Sequence, residues 1–302
     1  MNVLISGATG LIGTALTEYL EQQGHTVYIL HRDKEVGAFY WKPNFGHIYL
    51  DPRIHLDAVV NLNGVNIGDK PWSKARKKEI LNSRIQSTQL LAEAISKRSQ
   101  KPSTFVSASA IGFYGDTGDE WVDEQSSGGK NFLTDIAKHW EQSARAANDA
   151  GIRTVFIRTG VVLAKQGGAL AKMLLPFKLG LGGPIGQGNQ YMSWISLEDE
   201  IRAIAYLLEN KDIEGPVNLT APNPVTNETF AKRLAANLKR PALLPMPAWL
   251  VKLIFGEMGE LLLLGSARVK SKVLQDNGFR FHHQQIDDAF AAITGKKKAS
   301  ST

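Results

Sequence analysis

The 302 residues include no cysteine, which removes disulfides, thiolate nucleophiles and cysteine-bound zinc or iron–sulfur centres together. Seven histidines remain, and only His282 and His283 lie close, in a polar stretch that reads as surface. No metal site is expected. Long apolar runs are missing as well: Trp249 to Phe255 and Leu261 to Leu264 are separated by charge and glycine and fall short of a bilayer span. No membrane partner is expected. The first strand begins at residue 2 or 3, leaving no room in this sequence for a leader, so cytoplasm is the expected compartment. Excess charge is modest, with 35 basic against 29 acidic side chains and a formal net charge of +6. Much of it sits on one helix (Lys74, Arg76, Lys77, Lys78) and in a tail (Lys296 to Lys298), without interleaved aromatics. A nucleic-acid partner is therefore not expected, although a basic rim would attract an anionic ligand.

What the sequence does hold is concentrated at its start, where the apolar run Val3-Leu4-Ile5 meets a Gly7-Ala-Thr9-Gly10-Leu11-Ile12-Gly13 turn that opens a helix. Glycines allow a tight turn, close approach of backbone to a pyrophosphate, and tight packing of helix on strand. The helix then turns unpaired N–H groups and the positive end of its dipole toward phosphate. A dinucleotide is the expected ligand. After a second strand, Thr26 to Leu30, an acidic residue would bind the 2′-hydroxyl of NAD, but the chain carries His31-Arg32. A guanidinium pairs with a 2′-phosphate, so NADP(H) is the expected cofactor. Glycines also occur at unrelated strand-turn-helix junctions, and a strand-end arginine can simply be solvated; both alternatives stay open.

Further strands are expected at 58–62, 104–107 and 154–158, with helices at about 73–98 and 131–150. This alternation predicts an α/β chain: a Rossmann-type doubly wound parallel sheet, a smaller α/β substrate or cap region, and a C-terminal helical cap. The expected boundaries are 1–163 for the nucleotide domain, 164–240 for a substrate and lid region that returns to the sheet, and 241–302 for the cap. Gly180 to Gly188 is glycine-dense and reads as either a mobile lid or a plain surface connection. A helix is expected from about Leu197 to Glu209, a strand at 216–219, a helix capped by Thr226, and a last helix at 284–293. Trp249, Leu250, Leu253 and Ile254 are spaced as a buried helix face, preferred here to a membrane-surface role.

Together, GATGLIG, His31-Arg32, NLNGVNI at 61–67, SASAIGFYG at 107–115, RTGVVLA at 158–164 and LGLGGPIGQGNQYMSWISLED at 179–199 resemble the atypical, extended-type short-chain dehydrogenase/reductase family. The likeness is to its sugar-nucleotide-epimerase-like branch, which carries a small C-terminal domain of unknown function. It implies that Gly7, Thr9, Gly10, Leu11 and Ile12 form the phosphate loop, that Arg32 holds the 2′-phosphate, and that Asn63-Gly64 lines the nicotinamide-side ribose. Arg84 falls where typical extended members carry an asparagine. Gly13, His31, Ser107 and Arg158, at or near strand ends, complete the expected cofactor set.

The superfamily's Tyr-x-x-x-Lys pair is absent: the matching positions hold Leu133 and Ala137, with Lys138 about 100° around the helix from the second. Ser109 matches the superfamily serine, and Tyr114 the tyrosine of a following Tyr-Gly. These two hydroxyls are the candidate catalytic groups, with backbone-bonding and packing roles as the alternatives. Two functions follow. One is an NADP(H)-dependent oxidoreductase or nucleotide-sugar epimerase-like enzyme acting on a small polar or nucleotide-linked substrate, as monomer or homodimer. The other is a catalytically reduced NADPH-sensing protein acting through a partner, of the kind that family members named for cell division bring to mind.

Overall fold

The apolar runs are continuous along the expected strands, with Val3, Leu4, Ile5, Val59 and Val60 fully buried, the pattern of strands covered on both faces. The computed structural model, which describes residues 1–32 and 37–295, accordingly has a six-stranded sheet. Its strands are β1 (Asn2–Ser6), β2 (Thr26–Ile29), β3 (Ala58–Asn61), β4 (Thr104–Ala110), β5 (Arg153–Thr159) and β6 (Gly215–Leu219). They lie in the order β6-β5-β4-β3-β1-β2. β1 pairs in parallel with β2 on one side and β3 on the other, so Leu4 lies between Tyr28 and Val59. Strand order therefore reverses at β1, and an open sheet binds its ligand at the carboxyl ends beside such a reversal.

Two compact units divide the chain. The first comprises Met1–Phe113, Thr134–Arg158 and Ile201–Val217. It contains helices α1 (Leu11–Gln22), α2 (Lys74–Ser96), most of α3 (Phe132–Gln142) and α4 (Arg145–Asp149). Ser73 caps α2 by accepting from the Arg76 N–H. The single helix expected over 131–150 is instead two. At the break the Ser143 hydroxyl bonds back to the Trp140 carbonyl, the local competition that serine offers a helix backbone. An antiparallel pair, Phe39–Lys42 with His47–Leu50, occupies a stretch for which no element was expected. Phe39 and Trp41 are buried there with Leu4, Leu30 and Leu56.

The second unit comprises Tyr114–Leu133, Thr159–Glu200 and Asn218–Thr302. Here lie α5 (Gly168–Lys178), the start of α6 (Leu197–Glu209), α7 (Asn227–Leu238), α8 (Ala248–Gly259), α9 (Lys272–Asp276) and α10 (Ile286–Thr294). Leu170, Phe177, Trp194, Phe230, Leu234 and Phe290 form its core, with the Phe230 and Phe290 rings edge to face at 5.1 Å. Thr226 caps α7 by accepting from Thr229 N–H.

Three expectations change in this unit. The glycine-dense stretch is pinned rather than loose: Gly186 donates to Met246, Glu228 to Gly188, and Ile185 to the Asn227 side chain. A Cβ on Gly183 would lie 2.1 Å from the Leu244 carbonyl oxygen, so packing demands that glycine. Trp249, Leu253 and Ile254 are not a buried face; they are 66%, 74% and 53% exposed, Leu250 is half-buried, and α8 buries Val251 and Met258 instead. His282 and His283 are more than a surface pair, because their backbone N–H groups hold the fully buried Asp199 carboxylate.

Candidate cofactor site

In the first unit the site grows from the β1–α1 turn. Gly7 has φ +74, and a Cβ there would lie 2.7 Å from the Leu62 carbonyl oxygen. A Cβ on Gly13 would lie 2.2 Å from the Gly7 oxygen, so these two positions exclude a side chain. Gly10 caps α1 with no side-chain hydrogen bond, and the first turn, Leu11 and Ile12 included, has no acidic residue. Thr9 is exposed at the turn. The helix's first N–H groups and its dipole therefore remain available to an anion.

Two neighbouring strand ends close on this turn. The His31 N–H donates to the Phe39 carbonyl and its own carbonyl accepts from Trp41, which fixes the backbone leading into Arg32. The Arg32 guanidinium donates from Nη2 to Asn63 Oδ1 at 3.4 Å. Asn63 is buried, and beside it a Cβ on Gly64 would lie 3.2 Å from Arg84 Cζ. Thus Gly7, Arg32, Asn63, Gly64 and Arg84 form one continuous corner. Arg84 is buried over the Trp140 ring at 4.9 Å and, among the described residues, donates to the Ile80 carbonyl of its own helix. Burial, and secondly the charge of Arg76, push its guanidinium down to about 10. No carboxylate among the described residues pairs with it.

Beneath the corner, Ser6 donates to Asn61 Oδ1 at 2.6 Å, while Asn61 Nδ2 reaches Thr88 at 2.7 Å and Ser107 at 3.5 Å. Trp140 Nε1 donates to Thr88 as well. Ser107 is therefore a fully buried member of a network joining β1, β3, β4, α2 and α3.

Ser109 and Arg158 meet elsewhere in the same unit. The Ser109 hydroxyl donates to Glu141 Oε1 at 2.7 Å, and Arg158 grips both oxygens of that carboxylate, at 2.8 and 2.9 Å. The Arg158 guanidinium also stacks on Phe113, with Cζ 3.4 Å from the ring centre. Sequence reasoning found Ser109 and Arg158 but not their common partner. Glu141 lies on α3, far in sequence from Ser109, and no local pattern singled it out. On α3, Ala137 is buried.

In the second unit Tyr114 is buried, and its hydroxyl donates to Asn218 Oδ1 at 2.8 Å. Glu124, whose carboxyl burial pushes up, accepts from the Asn218 and Val273 N–H groups. Glu200 is fully buried, accepts from Thr159 at 2.8 Å, and burial pushes its carboxyl up to about 8. Its Oε2 has no hydrogen-bond partner among the described residues. Three acids at a helix start read as dipole complements, and sequence alone could not single this one out.

A parallel sheet with an uncapped helix start at its reversal point, beside Arg32 and Arg84, defines a Rossmann-type nucleotide fold. The comparisons carry this to a family. The model for the NAD dependent epimerase/dehydratase family matches residues 3–219, and a domain of unknown function, DUF1731, matches 246–293. The chain belongs to that epimerase/dehydratase family. It is 42% identical over 294 residues to epimerase family protein Mb2239 of Mycobacterium bovis, covering 97% of each chain. Human epimerase family protein SDR39U1 (isoform 2), crystallised with NADPH, superposes with a TM-score of 0.89 at 36% identity, covering 98% of this chain and 99% of that one. A nucleoside-diphosphate sugar epimerase from Corynebacterium glutamicum gives 0.81 at 32% identity, covering 99% of this chain but 59% of that one.

Proposed function

We propose that this chain binds NADP(H) at the corner formed by Gly7 to Gly13, Arg32, Asn63, Gly64 and Arg84, and acts on a small polar or nucleotide-linked substrate by oxidoreduction or epimerisation. The observation that carries the proposal is Arg32, a cation fixed at the end of β2 where NAD-selective folds carry an acid. The corner fits the cofactor: the turn is closed to side chains, the helix start has no side-chain cap or acid, and Arg84 pairs with no carboxylate among the described residues. The human relative crystallised with NADPH supports the same choice.

When bound, the nicotinamide would supply or accept hydride. The chain's own share concerns a hydroxyl. Ser109 spends its one proton on Glu141, so its oxygen is left to accept a hydrogen bond, as from a substrate hydroxyl. Arg158 grips both oxygens of Glu141 and keeps it in place, which holds Ser109 in that orientation. Tyr114 is the second candidate, its hydroxyl held by Asn218.

Arg32→Glu tests the cofactor assignment. NADPH affinity should fall roughly 10- to 100-fold while NADH affinity changes little; equal loss of both refutes the 2′-phosphate role. For the chemistry, purified protein saturated with NADPH is offered a panel of carbonyl compounds, and loss of the nicotinamide absorbance is the expected result. One observation favours a second function: Leu133 and Ala137 stand at the superfamily's tyrosine and lysine positions. On that account the chain reports NADPH occupancy to a partner, and pull-downs with and without NADPH should yield different partners. An unchanged set eliminates it.

A further inference from the structure

Nine of the large apolar side chains left exposed lie between Leu175 and Leu262, all in the second unit, and Trp249 and Leu253 are among the most open. They are not scattered. Arg240 Nε donates to the Lys178 carbonyl at 2.8 Å, Leu244 N–H to Gly182, Met246 N–H to Pro184, and Gly186 N–H back to Met246. The segment 240–247 therefore runs alongside 178–186 and leads directly into α8. Leu179, Leu181, Leu243 and Leu244 are exposed on these paired segments and Trp249 and Leu253 on the helix that follows, an apolar band along the path of the chain.

Along the two paired segments the charge has a single sign: residues 165–182 and 239–247 carry Lys165, Lys172, Lys178, Lys239 and Arg240, and no Asp or Glu. On α8 itself Lys252 and Glu257 are both present, and Lys252 pairs with Glu260. Lys165, Lys178 and Arg240 stand round a cleft of about 350 Å³ whose apolar lining is Leu174, Leu238 and Ile293. Lys239, in the left-handed region at φ 57, ends α7 and turns the chain so that Arg240 reaches that cleft. An exposed apolar band beside a cationic cleft has the composition of a surface that lies on lipid, with leucine and tryptophan entering the headgroup boundary and cations meeting phosphate.

We infer that this face of the second unit docks on anionic membrane surfaces, the Lys165–Lys178–Arg240 cleft receiving a lipid phosphate and the Trp249/Leu253 edge of α8 entering the interface. A second copy of the chain is the less favoured occupant, because a two-fold contact would set the same cations against one another. The contact is peripheral: no helix among the described residues is long and apolar enough to cross a membrane.

The test is sedimentation of the purified full chain with vesicles of phosphatidylcholine alone or mixed in equal parts with phosphatidylglycerol. Binding to the mixed vesicles only, weakened by raised salt, is expected. Two double variants, Lys165→Glu with Lys178→Glu and Trp249→Ser with Leu253→Ser, should each lower that binding by ~10-fold or more. All four side chains are exposed, so unchanged circular dichroism and thermal midpoint confirm the fold, and unchanged NADPH binding separates this proposal from the cofactor assignment. Equal binding to both vesicle types, no binding, or full binding by both double variants overturns it. So does a dimer in sedimentation velocity that Trp249→Ser with Leu253→Ser dissociates while vesicles bind nothing, which would assign the face to a second copy.

Discussion

Two corners of the first unit handle charge in opposite ways. At Ser109 the guanidinium of Arg158 is matched by Glu141, and every charged group has its partner within the chain. At the β1–α1 turn the helix start has no side-chain cap and Arg84 pairs with no carboxylate among the described residues, so the positive potential is left for something outside them. A corner that completes itself serves the fold and orients a hydroxyl; a corner left incomplete is built for an anion.

If that contrast holds, breaking the self-completed corner should cost the most stability. Arg158→Met leaves the largely buried Glu141 carboxylate uncompensated and should lower unfolding free energy by about 3–5 kcal/mol, measured by urea denaturation. Glu200 presents a third condition, a buried carboxyl with one oxygen bonded and one not. Its folded value of about 8 lies above the ordinary 4.5, so the native state keeps a proton that the unfolded chain releases. Stability from this group is full below about pH 4.5 and declines as pH rises to about 8, by an amount on the order of a few kcal/mol. Glu200→Gln should flatten that slope in thermal unfolding across the same window.

The open corner should respond in binding more than in stability. Gly13→Ala is the exception because its Cβ meets backbone at 2.2 Å; a loss of about 2 kcal/mol and of NADPH binding together is expected. Arg84→Gln should weaken NADPH by roughly 10-fold while leaving the thermal midpoint unchanged or raised, since it removes a buried charge that pairs with no carboxylate among the described residues. A falling midpoint would show that Arg84 belongs with the self-completed groups.

Much of the open corner was readable before any coordinates. Gly7 and Gly13 announce a turn because only glycine tolerates the approach, and Arg32 follows a strand whose end must face the same edge. The closed corner was half readable. Ser109, Glu141 and Arg158 lie on β4, α3 and β5, and nothing in their spacing says that one carboxylate serves both other residues. The hairpin at 39–50 was missed because its strands are four residues each and lie where another βα unit would be expected.

Local rules thus sufficed wherever neighbours in sequence decide the outcome: the glycine turn, the continuous apolar strands, the cap at Thr226. Periodicity also marked Trp249, Leu253 and Ile254 as a stripe, but a stripe names a face and not what covers it. Only the packing of α8 on distant segments left that stripe open and buried Val251 instead, and only packing made Gly183 a contact rather than a hinge. Burial depends on chain brought from far away, and that information exists only once the fold has formed.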